Sequence, residues 1–182
     1  MKLETDRLCL CSPDQVKAEL VVEYLIRNRE FLREFEPERE DAYYTIPFQQ
    51  RFLRKQTDDW QKKTEYRFYI TPREDRHKVI GYVALSNVVM GPFCSCFLGY
   101  QIDHGYMRQG LMTEAVTEVV RYGFAKLGLH RVEGNVMPKN KASIGLLKKC
   151  GFTEEGISRN YLRIRGVWED HIHFVKLNQD ME

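Results

Sequence analysis

Apolar and polar residues alternate along seven stretches of the chain, and apolar residues recur every three to four positions along four others. Alternation places every second side chain on one face of a strand, whereas the longer period places the apolar residues on one side of a helix. The alternating stretches predict strands at 7–11, 66–71, 78–89, 94–103, 130–137, 153–164 and 167–177. The periodic stretches predict two helices after the first strand, a third from about Leu111 to Gly128, and a fourth over 140–149.

Individual residues indicate where the first two helices begin. Asp14 is a candidate N-cap for a helix that carries Leu20, Val21, Tyr24 and Leu25 at helical spacing. Pro47 suits the first position of the second helix, because its missing N–H needs no partner there, and this helix is expected to extend to about Lys62.

The order of these elements is β-α-α-β-β-β-α-β-α-β-β. Consecutive strands form antiparallel hairpins, whereas strands joined through a helix run parallel. The order therefore predicts an α/β (α+β) fold with a mixed, mostly antiparallel, twisted sheet of about seven strands and helices on both faces. Because no repeat, low-complexity tract or linker interrupts 1–182, we expect a single domain.

Composition excludes several classes of protein. The 28 Lys and Arg against 26 Asp and Glu give a net charge of +2, so we expect neither a broad nucleic-acid-binding surface nor direct nucleic-acid binding. No apolar run approaches the ~18 residues that a membrane span needs. An odd number of cysteines without a secretory leader predicts reduced thiols and a cytoplasmic location. The five are Cys9, Cys11, Cys94, Cys96 and Cys150.

Two pairs of these cysteines have Cys-x-Cys spacing within predicted strands. A four-thiolate metal site built from both pairs is conceivable, but the usual spacing is Cys-x-x-Cys, so ordinary buried cysteines are the favoured interpretation. His171 and His173 lack a third ligand nearby, and we attribute them to packing and to the solubility of an edge strand. No metal is expected.

The first candidate for chemistry is the abrupt turn in "YMRQGLMTEA" (106–115), which follows the strand "CSCFLGYQID" (94–103). A strand that passes directly into a helix aims free N–H groups and a positive dipole end at one point, which suits an anion. Neither a Walker loop nor a dinucleotide fingerprint is present. Amides of about 108–113 can converge on a pyrophosphate, with added contacts from Arg108. On spacing alone, the simpler explanation is that Gly110 eases the start of a helix.

The second candidate is "NVMPKNKASIGLLKKCGF" (135–152). Asn140 is placed to cap the helix, and Ser143 lies one turn later on the side that faces the helix start. In isolation, the simpler explanation is that Asn140 only caps the helix and Ser143 is a neutral surface residue.

Taken together, "YMRQGLMTEA" and "NKASIGLLKKCGF" resemble the two motifs of the GNAT superfamily of N-acetyltransferases, and the predicted element order resembles that of its fold. Further segments are similar to the Rim-type, RimJ-like branch, the ribosomal-protein-alanine N-acetyltransferases. These segments are "ETDRLCL" (4–10), "NREFLREFEPERE" (28–40), "SNVVMGPFCSCFLGYQID" (86–103) and "GFTEEGISRNYLRIRGVWEDHIHFVKL" (151–177). The resemblance covers nearly the whole chain.

The resemblance implies direct transfer of an acetyl group from acetyl-CoA, the cosubstrate, to the N-terminal α-amine of a protein in a ternary complex. The acceptor is expected to be an alanine- or serine-start ribosomal protein. Ser143 is implied as proton donor to the leaving thiolate, with Asn140 bonding the cofactor arm or an ordered water. The implied cofactor-binding residues are Gln101, Ile102, Met107, Arg108, Gln109, Gly110, Leu111, Met112, Thr113 and Asn140.

The chain departs from the family's pattern at three positions. Met107 stands where the first motif has Gln or Arg, and Met112 where it has Gly or Ala. In the family, backbone amides bind the phosphates, so we expect binding to survive, with Arg108 as a substitute for the missing polar side chain. Leu147 replaces the tyrosine that protonates the thiolate in many members, which leaves that role to Ser143.

The general base stays open among four carboxylates and a water chain. The carboxylates are Glu36, Glu65, Asp103 and Glu133. Residues 30–41 hold six carboxylates and two arginines. In the family this region lines the acceptor groove, where it could steer a basic peptide terminus. A solvated loop with compensating charges explains the same pattern equally well.

Other functions remain open at this point. One is acetylation of a small amine such as a polyamine, an antibiotic or an amino acid. Another is a non-catalytic CoA-binding assembly or regulatory protein, which the changes at Met107, Met112 and Leu147 suggest. An open groove between the first two helices and the last hairpin would favour a peptide, and a closed acidic pocket would favour a polyamine. The oligomeric state stays open.

Overall fold

A sheet of eight strands runs through the computed structural model, which describes residues 1–181. The strands are β1 (Lys2–Glu4), β2 (Leu8–Cys11), β3 (Tyr66–Pro72), β4 (Gly81–Val89), β5 (Ser95–Ile102), β6 (Arg131–Val136), β7 (Thr153–Ile164) and β8 (Val167–Leu177). The helices are α1 (Ala18–Leu32), α2 (Ile46–Gln61), α3 (Leu111–Leu127) and α4 (Lys141–Lys149).

The strands lie in the order β1-β2-β3-β4-β5-β6-β8-β7. Neighbouring strands are antiparallel except for β5 and β6, which are parallel because α3 connects them. The sheet is therefore mixed and mostly antiparallel, as the element order predicts.

Each face of the sheet has its own apolar core. On one face α3 packs against the central strands, and Val116 and Val119 are fully buried among side chains such as Phe68 and Val132. On the other face α1 and α2 cover β3 and β4, with a second cluster that includes Tyr24, Leu25 and Leu53. Helices α1 and α2 therefore lie on one face of the sheet, and α3 and α4 lie on the other.

The structure differs from the predicted elements at four points. The three-residue strand β1 was not predicted, since so short a segment shows no period. Asp14 is not an N-cap, because Pro13 fixes a tight 3-10 turn over Pro13–Gln15 and α1 begins only after Lys17. Pro47 is the second rather than the first residue of α2. The strand that carries His171 and His173 is not an edge strand, because β8 lies between β6 and β7.

No helix within residues 1–181 is long and apolar enough to cross a membrane. In the same part of the chain all five cysteines are free thiols, and Cys9, Cys96 and Cys150 are buried.

Candidate active site

The parallel strands β5 and β6 separate partway along their length. They pair only from Ser95 to Phe97 on β5 and from Arg131 to Glu133 on β6. Beyond this point β5 stays paired with β4 as far as Ile102, so the backbone of 98–102 has a free edge on the side of β6. A wedge-shaped opening therefore lies between the ends of the two strands, and an extended ligand can pair with the free edge.

Gly81 allows β4 to approach the end of β5 closely. A Cβ atom at this position would lie 2.2 Å from the carbonyl oxygen of Gln101, a distance that real Cβ atoms do not show. The side chain of Gln101 is held by α1, because its Oε1 accepts a hydrogen bond from Tyr24 at 3.4 Å. The last residues of β5 are therefore fixed beside the opening.

The loop between β5 and α3 turns sharply. Gly110 precedes α3 with φ of 77°, and Arg108 also has a positive φ of 59°. The amides of Arg108, Gln109 and Gly110 donate to no acceptor within residues 1–181, and the first amides of α3 have no intrahelical partner. This loop therefore offers a cluster of free N–H groups at a helix N-terminus, the arrangement that binds phosphate groups.

Arg7 anchors this loop from the start of the chain. Its Nη1 donates to the carbonyl oxygen of Gln109 at 2.9 Å, and its Nε donates to Glu114 at 2.8 Å. Burial raises the pKa of Glu114, but hydrogen bonds from Thr5 and Arg7 outweigh it, and the pKa lies below its ordinary value. The ionised Glu114 thus fixes the first turn of α3. No motif in the sequence indicated the role of Arg7, because the two segments are about a hundred residues apart.

The two methionines that depart from the family motif have different places. Met112 and Leu111 are buried in the core under α3, so their side chains face away from the free amides. Met107 is half-buried, and Arg108 is exposed without a hydrogen bond inside the described residues. The backbone of this loop, rather than its side chains, is what it offers to a ligand.

The start of α4 lies close to the end of β5. Asn140 is the N-cap of α4, and its side-chain oxygen accepts a hydrogen bond from the Ser143 amide at 3.1 Å. Tyr100 of β5 donates to the carbonyl oxygen of Ser143 at 3.5 Å. Burial raises the pKa of Tyr100 to about 12, so its phenol stays protonated at neutral pH. Leu147 is fully buried and packs beside Gly134.

Three of the four carboxylates considered as general base are held by cations. Asp103 pairs with Arg27 at 2.6 Å, Glu65 with Arg67 at 3.0 Å, and Glu133 with Arg131 at 3.1 Å. Glu36 makes no ion pair within 4.0 Å in the part of the chain that the structure describes. Burial raises the pKa of Glu36, although Arg39 and Arg67 counteract it in part.

A cleft lies between the end of α1, the segment that follows it, and the turn between β7 and β8. Two adjacent cavities there, of about 240 Å³ and 470 Å³, share Glu30, Arg33 and Arg165 in their walls. Its walls carry both signs of charge. The lining arginines are Arg29, Arg33, Arg39 and Arg165, and the lining carboxylates are Glu30, Glu34, Glu36, Glu38 and Glu169.

Among residues 1–181, no group of three or more His, Cys, Asp and Glu side chains is arranged to hold a metal ion.

Comparison with known proteins agrees with this geometry. The model of the acetyltransferase (GNAT) domain family matches residues 7–153. The probable N-acetyltransferase YjcK of Bacillus subtilis strain 168 is 42% identical over 156 residues, which are 85% of each chain. The [ribosomal protein uS5]-alanine N-acetyltransferase of Escherichia coli strain K12 is 35% identical over 173 residues, 94% of this chain and 88% of the relative.

A solved structure gives the same result for the fold. The ribosomal-protein-S5-alanine acetyltransferase of Vibrio fischeri superposes with a TM-score of 0.92 at 30% identity, over 100% of this chain and 99% of that one. The eight-stranded sheet with its opening, the free amides before α3 and the family match agree with one another. The chain belongs to the GNAT family of acetyl-CoA-dependent N-acetyltransferases.

Proposed function

We propose that this enzyme acetylates the N-terminal α-amine of a protein, with an alanine- or serine-start ribosomal protein as the acceptor. The observation that carries the proposal is the open cleft with walls of both charges beside α1 and the β7–β8 turn. An extended peptide with mixed side chains fits such a cleft. A polyamine would instead require a closed pocket with mainly carboxylate walls.

The cleft is connected to the end of β5 through phenol groups. Glu36 in the cleft wall is near enough to Tyr24 and Tyr82 to contribute to the raised pKa of each, after the larger effect of burial. Tyr24 donates a hydrogen bond to Gln101, at the edge of the opening between β5 and β6, and Tyr82 of β4 lies directly opposite Gln101 in the sheet. We therefore expect an amine that enters through the cleft to reach the strand opening.

The ionisation of the acceptor also favours an α-amine. The reference pKa of an α-amino group is about 7.8, whereas that of lysine is about 10.4. The difference makes deprotonation of a lysine about 3.5 kcal/mol more costly at the same pH. A site whose carboxylates are mostly paired with arginines has little strong base to offer, which suits the more acidic ammonium group.

We assign the cosubstrate to the opening and to the loop before α3. The free edge of Gln101 and Ile102 would pair with the pantetheine arm of acetyl-CoA. The pyrophosphate would accept hydrogen bonds from amides between Met107 and Thr113. Asn140 and Ser143 would lie beside the thioester, with the Ser143 hydroxyl as the proton donor to the leaving thiolate.

The relative from Escherichia coli, named for alanine acetylation of ribosomal protein uS5, supplies the peptide for the test. Purified enzyme is mixed with acetyl-CoA and an alanine-start peptide of the uS5 N-terminus, and thiol release is followed together with peptide mass. Matched acceptors are the serine-start peptide, the same peptide with a blocked N-terminus and one internal lysine, and spermidine.

We expect acetylation of both free N-termini and none of the blocked peptide. Rapid acetylation of spermidine, with no reaction of the peptides, would show that the acceptor is a small amine. Acetylation of the blocked peptide would show that the enzyme modifies lysine side chains. Comparison of N-terminal peptides by mass spectrometry, in cells with and without the enzyme, then identifies the natural acceptor.

A further inference from the structure

A chain of polar side chains crosses β6, β8 and β7 on the face that carries α1 and α2. His173 of β8 lies at its centre, with Nδ1 at 2.8 Å from Glu133 Oε1 and Nε2 at 2.8 Å from Ser158 Oγ. Tyr161 packs edge-on against the His173 ring, with centroids 5.0 Å apart. Asn135 Nδ2 donates to Tyr161 Oη at 3.1 Å. We call these five residues the His173 cluster.

The His173 cluster borders the opening between β5 and β6. Asn135 lies two residues beyond Glu133, the last residue of β6 that pairs with β5. Val132 and Val136 point into the core under α3, so Glu133 and Asn135 point to the opposite face. Asn140 and Ser143 belong to α4, on the α3 face. The cluster and the proposed thiolate donor therefore approach the opening from opposite sides.

Asn135 has a hydrogen-bond acceptor without a donor. Its Oδ1 is buried and has no partner within residues 1–181. A buried polar atom left in this state costs about 1–3 kcal/mol, so it needs an explanation. Tyr161 Oη already accepts from Asn135, which leaves its own hydrogen available. Asn135 Oδ1 can receive an N–H from a ligand amine, and the Tyr161 hydroxyl can donate to a carbonyl oxygen of the same ligand, which leaves the lone pair of the amine free.

The partners of His173 determine which of its nitrogens carries hydrogen. Burial raises the pKa of Glu133, but hydrogen bonds from His173 and Arg131 outweigh it and keep the pKa below its ordinary value. The ionised carboxylate only accepts, so Nδ1 of a neutral His173 carries the hydrogen. Nε2 is then the acceptor, and the Ser158 hydroxyl donates to it. A proton added at Nε2 gives an imidazolium that the Glu133 carboxylate stabilises.

The charged and titratable groups around His173 come from each neighbouring strand. Glu133 and Arg131 belong to β6, Glu155 and Tyr161 to β7, and His171 to β8 itself. Glu155 forms an ion pair with Arg131 at 2.6 Å. The Nδ1 of His171 lies 3.1 Å from the Glu169 carbonyl oxygen. Two histidines contact Tyr161 within residues 1–181, and of these only His173 is linked to a carboxylate and a hydroxyl.

We propose that the His173 cluster is the acceptor-amine site, with Asn135 holding the amine, Tyr161 holding the backbone that carries it, and Ser158 passing the amine proton to His173. The inference rests on the proposed function. The neutral amine donates one hydrogen to Asn135 Oδ1 and attacks the thioester carbon, so a C–N bond forms and the C–S bond breaks. Sulfur keeps the electron pair of that bond. The nitrogen proton moves to Ser158 Oγ as the hydroxyl proton moves to His173 Nε2.

The central test compares His173→Gln with His171→Gln as the matched control. Both changes remove a ring that packs on Tyr161, but only the first interrupts the chain to Ser158 and Glu133. We expect His173→Gln to lower kcat for the alanine-start peptide about a hundredfold, within the range for loss of a proton acceptor. The dissociation constant of acetyl-CoA, measured by calorimetry, should not change. His171→Gln should stay within about twofold of the wild type.

The pH profile distinguishes a proton acceptor from a structural residue. In the wild type both the acceptor amine and His173 must be neutral, so kcat/KM at low pH should fall about a hundredfold per pH unit. In His173→Gln only the amine requirement remains, and the fall should be about tenfold per unit. An unchanged slope, together with a rate equal to that of His171→Gln, would overturn the proposal.

Two smaller changes test the same site if His173→Gln fails to fold. Ser158→Ala removes one hydroxyl from an edge strand and should reproduce the lower kcat and the shallower slope. Tyr161→Phe keeps the ring and should raise KM for the peptide with little change in kcat. Wild-type levels of both constants in both variants would refute the amine site. If the wild type acetylates spermidine alone, the proposed function is wrong, and the same variants test the cluster with spermidine.

Discussion

Gly110 is the residue at which backbone geometry and charge can be separated by experiment. In Gly110→Glu, a carboxylate stands at the free amides, and one like charge near a phosphate at ~4 Å costs about 1–4 kcal/mol. We expect the Kd of acetyl-CoA to rise at least about tenfold. Titration calorimetry measures this, and an unchanged Kd would refute the pyrophosphate assignment.

Gly128→Glu is the matched control for that variant. Gly128 also has a positive φ, 68°, and lies at the opposite end of α3. A side chain in this conformation costs about 1–2 kcal/mol at either position, so both variants should lose similar stability. Only the change at Gly110 should weaken acetyl-CoA binding.

Ser143 and Tyr100 are the two candidate proton donors to the leaving thiolate. Ser143→Ala should lower kcat about tenfold and change KM less, because the proton is needed only as the C–S bond breaks. The loss should shrink with acetyl thioesters of more acidic thiols, which leave without help. A kcat within about twofold of the wild type would exclude Ser143 as the donor.

Tyr100→Phe tests the alternative donor, a phenol of β5 that contacts the first turn of α4. The phenol has a pKa of about 12 and contacts the Ser143 carbonyl oxygen, so it carries a proton throughout the working pH range. A loss of kcat in Tyr100→Phe, with full activity in Ser143→Ala, would assign the donor to Tyr100. The sequence motifs did not indicate this residue, because the donor was sought in the motif of α4 and Tyr100 belongs to β5.

The attachment of α1 to β5 is the contact between elements that holds the end of β5 in place. Arg27 donates to Asp103 at 2.6 Å and to the carbonyl oxygen of Val79, and Asn28 accepts from the His104 amide. Burial raises the pKa of Asp103, but hydrogen bonds with Asn28 and Arg27 outweigh it, and the pKa lies below its ordinary value. Asp103 is therefore a structural ion-pair partner rather than a general base.

Asp103→Asn should lower the free energy of unfolding by about 1–3 kcal/mol at pH 7, since it leaves a partly buried guanidinium unpaired. Because the folded pKa is depressed, this contribution is present above the unfolded value and disappears as pH falls through the folded pKa. Urea unfolding of the wild type and of Asp103→Asn, at pH 7 and at decreasing pH below the ordinary Asp value of 3.8, measures how the difference in unfolding free energy disappears.

The control is Asp41→Asn, which removes an ion pair of the same length. Asp41 also pairs with an arginine of α1 at 2.6 Å, but its side chain is 90% exposed, against 2% for Asp103. Exposed pairs contribute little. Equal losses for the two variants would show that burial of Asp103 has no part in holding α1 on β5.

The sequence predicted the order of seven strands and four helices, because each has a clear period or a start signal. It also indicated the loop before α3 and the cap at Asn140, since each lies within one short motif. The His173 cluster was not predicted, because its residues come from three strands that become neighbours only through the order β6-β8-β7. The contact between Arg7 and Gln109 was also not predicted, because the two residues become neighbours only in the folded chain.

The arrangement of the whole molecule predicts transfer in a ternary complex, without an acetylated enzyme. The cosubstrate is assigned to the opening between β5 and β6 and the amine to the His173 cluster that borders it, so the two can react directly. Burial raises the pKa of Cys96 to about 12 and raises that of Cys150, so neither is a thiolate nucleophile at neutral pH. Initial rates with varied acetyl-CoA and peptide should give intersecting double-reciprocal lines. After incubation with acetyl-CoA alone, the intact mass should be unchanged. Parallel lines, or an acetyl group on Ser158 or on a cysteine, would instead establish a covalent intermediate.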